Sequence, residues 1–245
     1  EKFKFFLDGK KSERTIRGYF LVLRKLFQLA VDLGFRNKNP FNDVKIPAGH
    51  RNKIIKPIPI DQAGNLFQKM FNTDRVLYEY CLFIYLTGLR PSDICSLKRC
   101  NIDTVDGIKC IVLNESKNKK KNREEHPVPI HPEIEKIFDK NSEYLFCYDG
   151  SREIGKFSDR MGRSFKTKIS KEFTPYQFKH TMVTELSKAK VPREYTDFIL
   201  GKLPEGTLKH YLHAHIPSLY EALLKLPDIY TPFTHSKKGN YDFSA

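Results

Sequence analysis

Residues 87–97 read TGLRPSDICSL and follow a strongly apolar series. The apolar series before it, from about Thr73 to Leu89, predicts a buried helix. Pro91 stands where a first-turn proline opens a helix, so a short helix is predicted from Ser92 to Leu97. Arg90 therefore lies at a helix boundary, after a glycine turn. Taken alone, such an arginine is typical of a surface helix end.

Three further stretches follow toward the carboxyl terminus. Predicted strands at 108–113 and 126–130 flank the sequence SKNKKKNREE, which indicates an antiparallel hairpin with a basic tip. YQFKHTMVTEL then begins at Tyr176. The tripeptide LGK ends at Lys202, and Tyr211 follows nine residues later. Helices are also predicted at 132–139, 155–169, 175–189, 192–200 and 205–212.

The amino-terminal part has a different pattern. Apolar residues recur at three- and four-residue steps over 12–34, so we predict one amphipathic helix, capped by Ser12 and stopped by Gly34. A basic, proline-containing linker is predicted at 49–59. Asp61 is a candidate cap for a helix that ends near Phe71.

These stretches together resemble the tyrosine recombinase, or phage integrase, family. TGLRPSDICSL resembles the first arginine box of that family, with its acidic residue at Asp93. YQFKHTMVTEL is similar to the second box, usually written H-x-x-R-H-T. LGK…TLKHYLH resembles the closing box that holds the nucleophilic tyrosine. The helix and linker before residue 60 are similar to the end of the core-binding domain in that family, so the resemblance covers about residues 12–215.

The resemblance implies a role for each of several side chains. Arg90 would clamp the phosphate, Lys117 would act as the general acid, and Tyr211 would be the nucleophile. Lys119, Lys120 and Lys121 share the hairpin tip, and spacing alone does not choose among these lysines. The chemistry is consistent with the residue types, because guanidinium groups stabilise charge on phosphate oxygens and a positioned lysine can protonate a leaving oxygen.

Three positions depart from the family pattern. Tyr176 replaces the histidine of the second box, Lys179 replaces its arginine, and Lys202 replaces the histidine or tryptophan of the closing box. Lysine is a point charge and does not reproduce the bidentate guanidinium fork. The site is therefore either rearranged and active, or decayed and limited to DNA binding.

Composition narrows the class of protein independently. The 245 residues include 43 Lys+Arg and 29 Asp+Glu, which gives a net charge of +14. Such an excess is typical either of a protein that binds a polyanion, most simply nucleic acid, or of a solvated basic surface that serves solubility, and composition alone does not choose between them. A hydrophobic content of 40% excludes a disordered chain. Five cysteines without a C-x-x-C pair favour reduced thiols in a cytoplasmic protein, with no metal site. RNA binding has only the charge in its favour.

The sequence thus predicts a mostly helical protein with a small antiparallel sheet near residues 100–130. The expected organisation is a partial helical core-binding domain at 1–48, a catalytic domain of integrase type at 60–227, and a tail at 228–245. The expected partner is double-stranded DNA, bound through a steeply salt-dependent set of phosphate contacts. The family implies a tetramer on DNA, a monomer or dimer in its absence, and no cofactor or membrane.

Overall fold

The computed structural model describes residues 10–46, 55–114, 125–137, 144–145, 154–201 and 215–230. The chain divides into two compact units, Glu1–Ile54 and Ile55–Ala245. The mostly helical architecture and the small antiparallel sheet are confirmed. Within the described ranges, no helix is long and apolar enough to cross a membrane.

Within residues 10–46, the described part of the first unit, there is one helix, α1 (Glu13–Asp32). The hydroxyl of Ser12 accepts a hydrogen bond from the Thr15 amide at 3.2 Å, which confirms the predicted cap. Ile16 and Phe20 are buried against the segment that follows the helix. Arg24 donates hydrogen bonds to the carbonyl oxygens of Phe41, Asn42 and Val44. Arg24 therefore fixes the segment 41–44 against α1, which is a structural role.

The second unit contains most of the regular structure. Its described elements, in chain order, are α2 (Ile60–Thr73), α3 (Arg75–Thr87), α4 (Pro91–Ser96), a 3₁₀ turn (Arg99–Asn101), β1 (Ile102–Val105), β2 (Ile108–Asn114), β3 (Glu125–Pro129), α5 (Pro132–Glu135), α6 (Ile154–Ser164), a π-helical turn (Phe165–Ile169), α7 (Gln177–Lys188), α8 (Arg193–Ile199) and α9 (Ile216–Leu224).

Helix α3 forms the centre of this unit, as its apolar sequence predicted. From Leu77 to Thr87 every side chain except that of Glu79 is buried, because α2, α6 and α7 all pack against the helix. The most buried of the described helices in the second unit therefore ends at the start of TGLRPSDICSL.

Helix α3 runs from Arg75 to Thr87, two residues shorter at each end than the predicted helix 73–89, and Asp74 marks its start. The Asp74 carboxylate accepts the Leu77 amide at 3.1 Å, and so caps α3. It also accepts hydrogen bonds from Ser164 at 3.0 Å and from the Lys168 ammonium at 2.7 Å. Burial pushes the pKa of Asp74 upward, but these hydrogen bonds outweigh it and the pKa is lowered overall. By contrast, Asp61 is not a cap, because α2 begins at Ile60 with Pro59 before it.

The sheet has one more strand than predicted. The three strands pair in the order β1–β2–β3, and both pairings are antiparallel. The turn between β1 and β2 is Asp106-Gly107, with φ values of 50° and 76°. An Asp-Gly pair of this kind favours a two-residue hairpin, so the signal for β1 was present in the sequence.

Two helical predictions also need correction, and one helix was missed. The predicted helix 132–139 is the single turn α5, and the predicted helix 155–169 changes at Phe165 into a π-helical turn. Helix α9 was not predicted, although Ile216, Leu219 and Leu223 are buried at helical spacing. The predicted helix 205–212 lies outside the described residues. Among the described cysteines, Cys81, Cys95 and Cys110 are buried free thiols and Cys100 is exposed.

His131 makes the stability of the second unit depend on pH. Its Nδ1 accepts the Glu133 amide at 3.3 Å, which requires a neutral ring, and burial lowers its pKa. Because the pKa is lowered, the contribution of neutral His131 to the free energy of unfolding is present above the ordinary pKa of about 6.5 and is lost as pH falls toward the folded-state pKa.

We expect His131→Asn, which keeps a cap but does not titrate, to reduce the loss of unfolding free energy below pH 6.5 by about 1 kcal/mol. Urea unfolding at several pH values measures this, and identical pH slopes in the two proteins would contradict it.

Candidate active site

The turn after α3 positions Arg90. Gly88 ends the helix in the left-handed region, with φ of 62°. The Thr87 hydroxyl donates to the Phe83 carbonyl at 2.6 Å and accepts the Leu89 amide at 3.2 Å. The Arg90 carbonyl then accepts the amides of the first turn of α4, which has Pro91 at its start as predicted. Both sides of Arg90 are therefore fixed by backbone hydrogen bonds.

The side chain of Arg90 is exposed, whereas that of Leu89 is 3% exposed. Among the described residues, no carboxylate forms an ion pair with the Arg90 guanidinium. A guanidinium offers planar paired donors to a phosphate. Arg90 is thus held firmly by its backbone and presents its donors to solvent.

Gly88 lies where the three predicted boxes meet. A Cβ atom built on Gly88 would lie 2.7 Å from Met182 Sδ and 2.8 Å from Leu200 Cδ2. Met182 belongs to the second box and Leu200 begins the LGK of the closing box. The turn that carries Arg90 therefore packs directly on both other boxes, although they lie about a hundred residues away in the sequence.

The second box begins α7. Tyr176 is the N-cap residue and Lys179 lies in the first helical turn, where backbone amides and the helix dipole favour an anion. Both side chains are half-buried. The Tyr176 ring contacts the His180 ring edge-on, with centroids 5.3 Å apart. This arrangement places a phenol and an ammonium group at one helix end.

His180 follows Lys179 in the second box. Its Nε2 is buried without a hydrogen-bond partner in the described structure. Burial, with a further contribution from the Lys179 charge, lowers its pKa. The ring is therefore neutral near pH 7 and adds no charge to the site.

The remaining predicted site residues belong to segments whose positions the structure does not describe. Lys117, Lys202 and Tyr211 lie outside the described residues, as do Lys119, Lys120 and Lys121. The contact between Gly88 and Met182 joins the turn that carries Arg90 to α7, the helix that begins after Tyr176 and contains Lys179. Sequence reasoning missed Met182 and Leu200, which pack on the Arg90 turn, because apolar residues at these places carry no chemical signal.

Gly88 gives a direct test of this packing. We expect Gly88→Ala to lower the free energy of unfolding by about 2–4 kcal/mol, because it adds left-handed strain and a clash with Met182 and Leu200. Gly107→Ala is the matched control, since Gly107 has φ of 76° but no atom within 4 Å of an added Cβ. It should cost about 1 kcal/mol. Urea unfolding compares the two, and equal losses would show that the packing around Gly88 is unimportant.

Comparison with known structures defines the class of protein. The transposon Tn1549 integrase, solved in complex with transposon right end DNA, matches with a TM-score of 0.58 and 17% identity over 93% of this chain and 79% of that chain. A lambda integrase tetramer bound to a Holliday junction matches with a TM-score of 0.57 and 16% identity, over 79% of this chain and 59% of that chain. The second unit has the integrase fold.

Sequence comparison then gives the family. The model of the phage integrase family matches residues 58–216. The tyrosine recombinase XerA of Pyrococcus horikoshii is 26% identical over 238 residues, which are 91% of this chain and 78% of that protein. The chain belongs to the phage integrase family, as its three boxes predicted.

Proposed function

We propose that this protein is a site-specific DNA recombinase that cleaves and rejoins strands through a 3′-phosphotyrosyl intermediate. The observation that carries the proposal is the convergence of the three boxes at Gly88, beside an exposed Arg90. The family assignment and the DNA complexes of the similar integrases support DNA as the substrate. The net charge of +14 agrees with a polyanionic partner.

The proposed reaction is a transesterification. The Tyr211 hydroxyl loses its proton to water as its oxygen attacks the scissile phosphorus, and the bond from phosphorus to the 5′ oxygen breaks. Lys117 donates a proton to that 5′ oxygen and regains one from water, so the protons balance. Arg90, Lys179, Tyr176 and Lys202 stabilise the charge on the nonbridging oxygens. The phosphotyrosyl bond keeps the energy of the broken ester, so rejoining by the 5′ hydroxyl needs neither ATP nor a metal ion.

A nicked suicide duplex tests the proposal. Duplexes that the protein retains are selected from a randomised pool and rebuilt with a nick beside each candidate cleavage position. Cleavage there releases a short 5′-hydroxyl fragment, which prevents rejoining and leaves protein attached to DNA. We expect a covalent adduct that survives denaturation. Normal retention of these duplexes with no adduct at any position would refute the proposal.

The alternative function is DNA binding by a catalytically impaired integrase fold. Lys179 favours it, because an ammonium group replaces the guanidinium of the family pattern. The positive charge that lysine retains is compatible with phosphate binding in either case.

The lambda integrase tetramer supports a further part of the proposal, assembly of four copies on DNA.

Lys179→Arg separates the two functions. If the site has been rearranged around lysine and is active, the arginine of Lys179→Arg should not increase the yield of adduct on the nicked duplex. If the site has decayed, restoring the arginine should increase cleavage from background by on the order of 10²-fold. Lys188→Arg, an exposed position at the other end of the same helix, controls for the general effect of the substitution. We expect no gain from either variant.

A further inference from the structure

The segment by which the chain enters the second unit is hydrogen-bonded to α7. The Ile58 amide donates to the Thr181 hydroxyl at 2.9 Å, and this hydroxyl lies 3.0 Å from the Ile58 carbonyl. One turn earlier, the Gln177 side-chain amide donates to the Lys56 carbonyl at 3.1 Å. Two side chains of α7 thus hold the backbone of an extended segment that belongs to no sheet.

Both contacts lie close to the second box. Gln177 and Thr181 are four residues apart and share one face of α7, and Lys179 lies between them on a different face. Thr181 is fully buried, and Ile58 is 1% exposed in the core of the second unit. The Thr181 hydroxyl also lies 3.2 Å from the Gln177 carbonyl of its own helix. Its acceptance of the Ile58 amide fixes the rotation of α7 about its axis, because a rotated helix would leave that buried amide without this hydrogen bond.

Gln177 also organises the start of the helix. Its side-chain oxygen accepts the Thr174 amide at 2.8 Å, which fixes the backbone just before Tyr176. The same side chain therefore connects the entry segment at Lys56 with the loop that leads into the second box. The first turn of α7 is held from both sides, and Tyr176 and Lys179 project from it.

We propose that Thr181 and Gln177 are positioning residues, which use the entry segment to set the orientation of Tyr176 and Lys179 toward the scissile phosphate. The inference rests on the proposed recombinase function for its catalytic consequence. Its structural basis, the attachment of residues 56–58 to α7, is independent of that function.

Thr181→Val is the test, because valine has nearly the same shape and lacks the hydroxyl. We expect the single-turnover rate of adduct formation at saturating nicked duplex to fall about tenfold, with DNA retention unchanged. Thr181→Ser keeps the hydroxyl and should restore the rate. Thr184→Val is the matched control, since the Thr184 hydroxyl contacts the His180 carbonyl of its own helix.

Amide hydrogen exchange provides a measurement that does not require cleavage. Thr181→Val should accelerate exchange about tenfold at Ile58 and in the first turns of α7, whereas Thr184→Val should leave Ile58 unchanged. If wild type forms no adduct while exchange changes as expected, the recombinase proposal fails and the attachment stands. Unchanged exchange at Ile58, a wild-type cleavage rate in Thr181→Val, or no rescue by serine would overturn the inference.

Discussion

Replacing Tyr211 with phenylalanine should abolish covalent attachment to the nicked duplex and leave DNA retention within about twofold of wild type. Only the phenolic oxygen can form the bond to phosphorus, and the phenylalanine ring keeps the shape of the side chain. We expect the rate of adduct formation to fall by about 10³-fold or more, as for loss of a nucleophile in other enzymes. Denaturing gel electrophoresis of protein and labelled DNA measures the adduct.

Tyr220→Phe is the matched control for this change. Tyr220 lies in α9, is half-buried, and is also a tyrosine near the carboxyl end of the second unit. We expect its variant to form adduct at the wild-type rate. Persistent adduct in Tyr211→Phe, or its loss in Tyr220→Phe, would show that the nucleophile has been assigned to the wrong tyrosine.

Replacing Arg90 with alanine should slow adduct formation by about 10²–10³-fold, because the transition state loses a preorganised donor pair. The fold should be preserved, since the side chain is exposed and surface changes cost within about 0.5 kcal/mol. Arg90→Lys should have an intermediate rate, because it keeps the charge and loses the planar fork. Single-turnover cleavage and urea unfolding together measure both effects.

Arg193→Ala controls for the loss of a positive charge. Arg193 is exposed and pairs with Asp197 within α8, at 3.4 Å. Its removal should leave the rate of cleavage unchanged. If Arg90→Ala cleaves as fast as Arg193→Ala, then Arg90 does not contact the reacting phosphate.

The sequence predicted the helices better than their ends. The apolar series before Gly88 indicated a buried helix, but it did not single out Asp74, which caps α3 and also accepts hydrogen bonds from Ser164 and Lys168, about ninety residues away. Apolar periodicity shows that a helix is present, but it does not show at which residue the helix starts. The strand β1 and helix α9 were missed although the sequence indicated both, through the Asp106-Gly107 turn and through apolar residues at helical spacing in 216–224.

The candidate site shows the same division. Arg90, Tyr176 and Lys179 were predicted as site residues from the resemblance of their boxes to those of the integrase family. The packing of Met182 and Leu200 on Gly88 arises only in three dimensions, as do the hydrogen bonds of Thr181 to Ile58. A threonine in a helix has many possible partners, and its sequence neighbours do not reveal which backbone lies against it.

The assignment of Tyr211 as the nucleophile is tested most directly by identifying the residue to which the DNA becomes covalently attached. Adduct formed on the nicked duplex is digested with nuclease and protease, and the modified peptide is sequenced by mass spectrometry. We expect one peptide that contains Tyr211, with a nucleotide joined to its phenolic oxygen through a 3′ phosphate. A nucleotide on any other residue, or joined through a 5′ phosphate, would contradict the proposed mechanism.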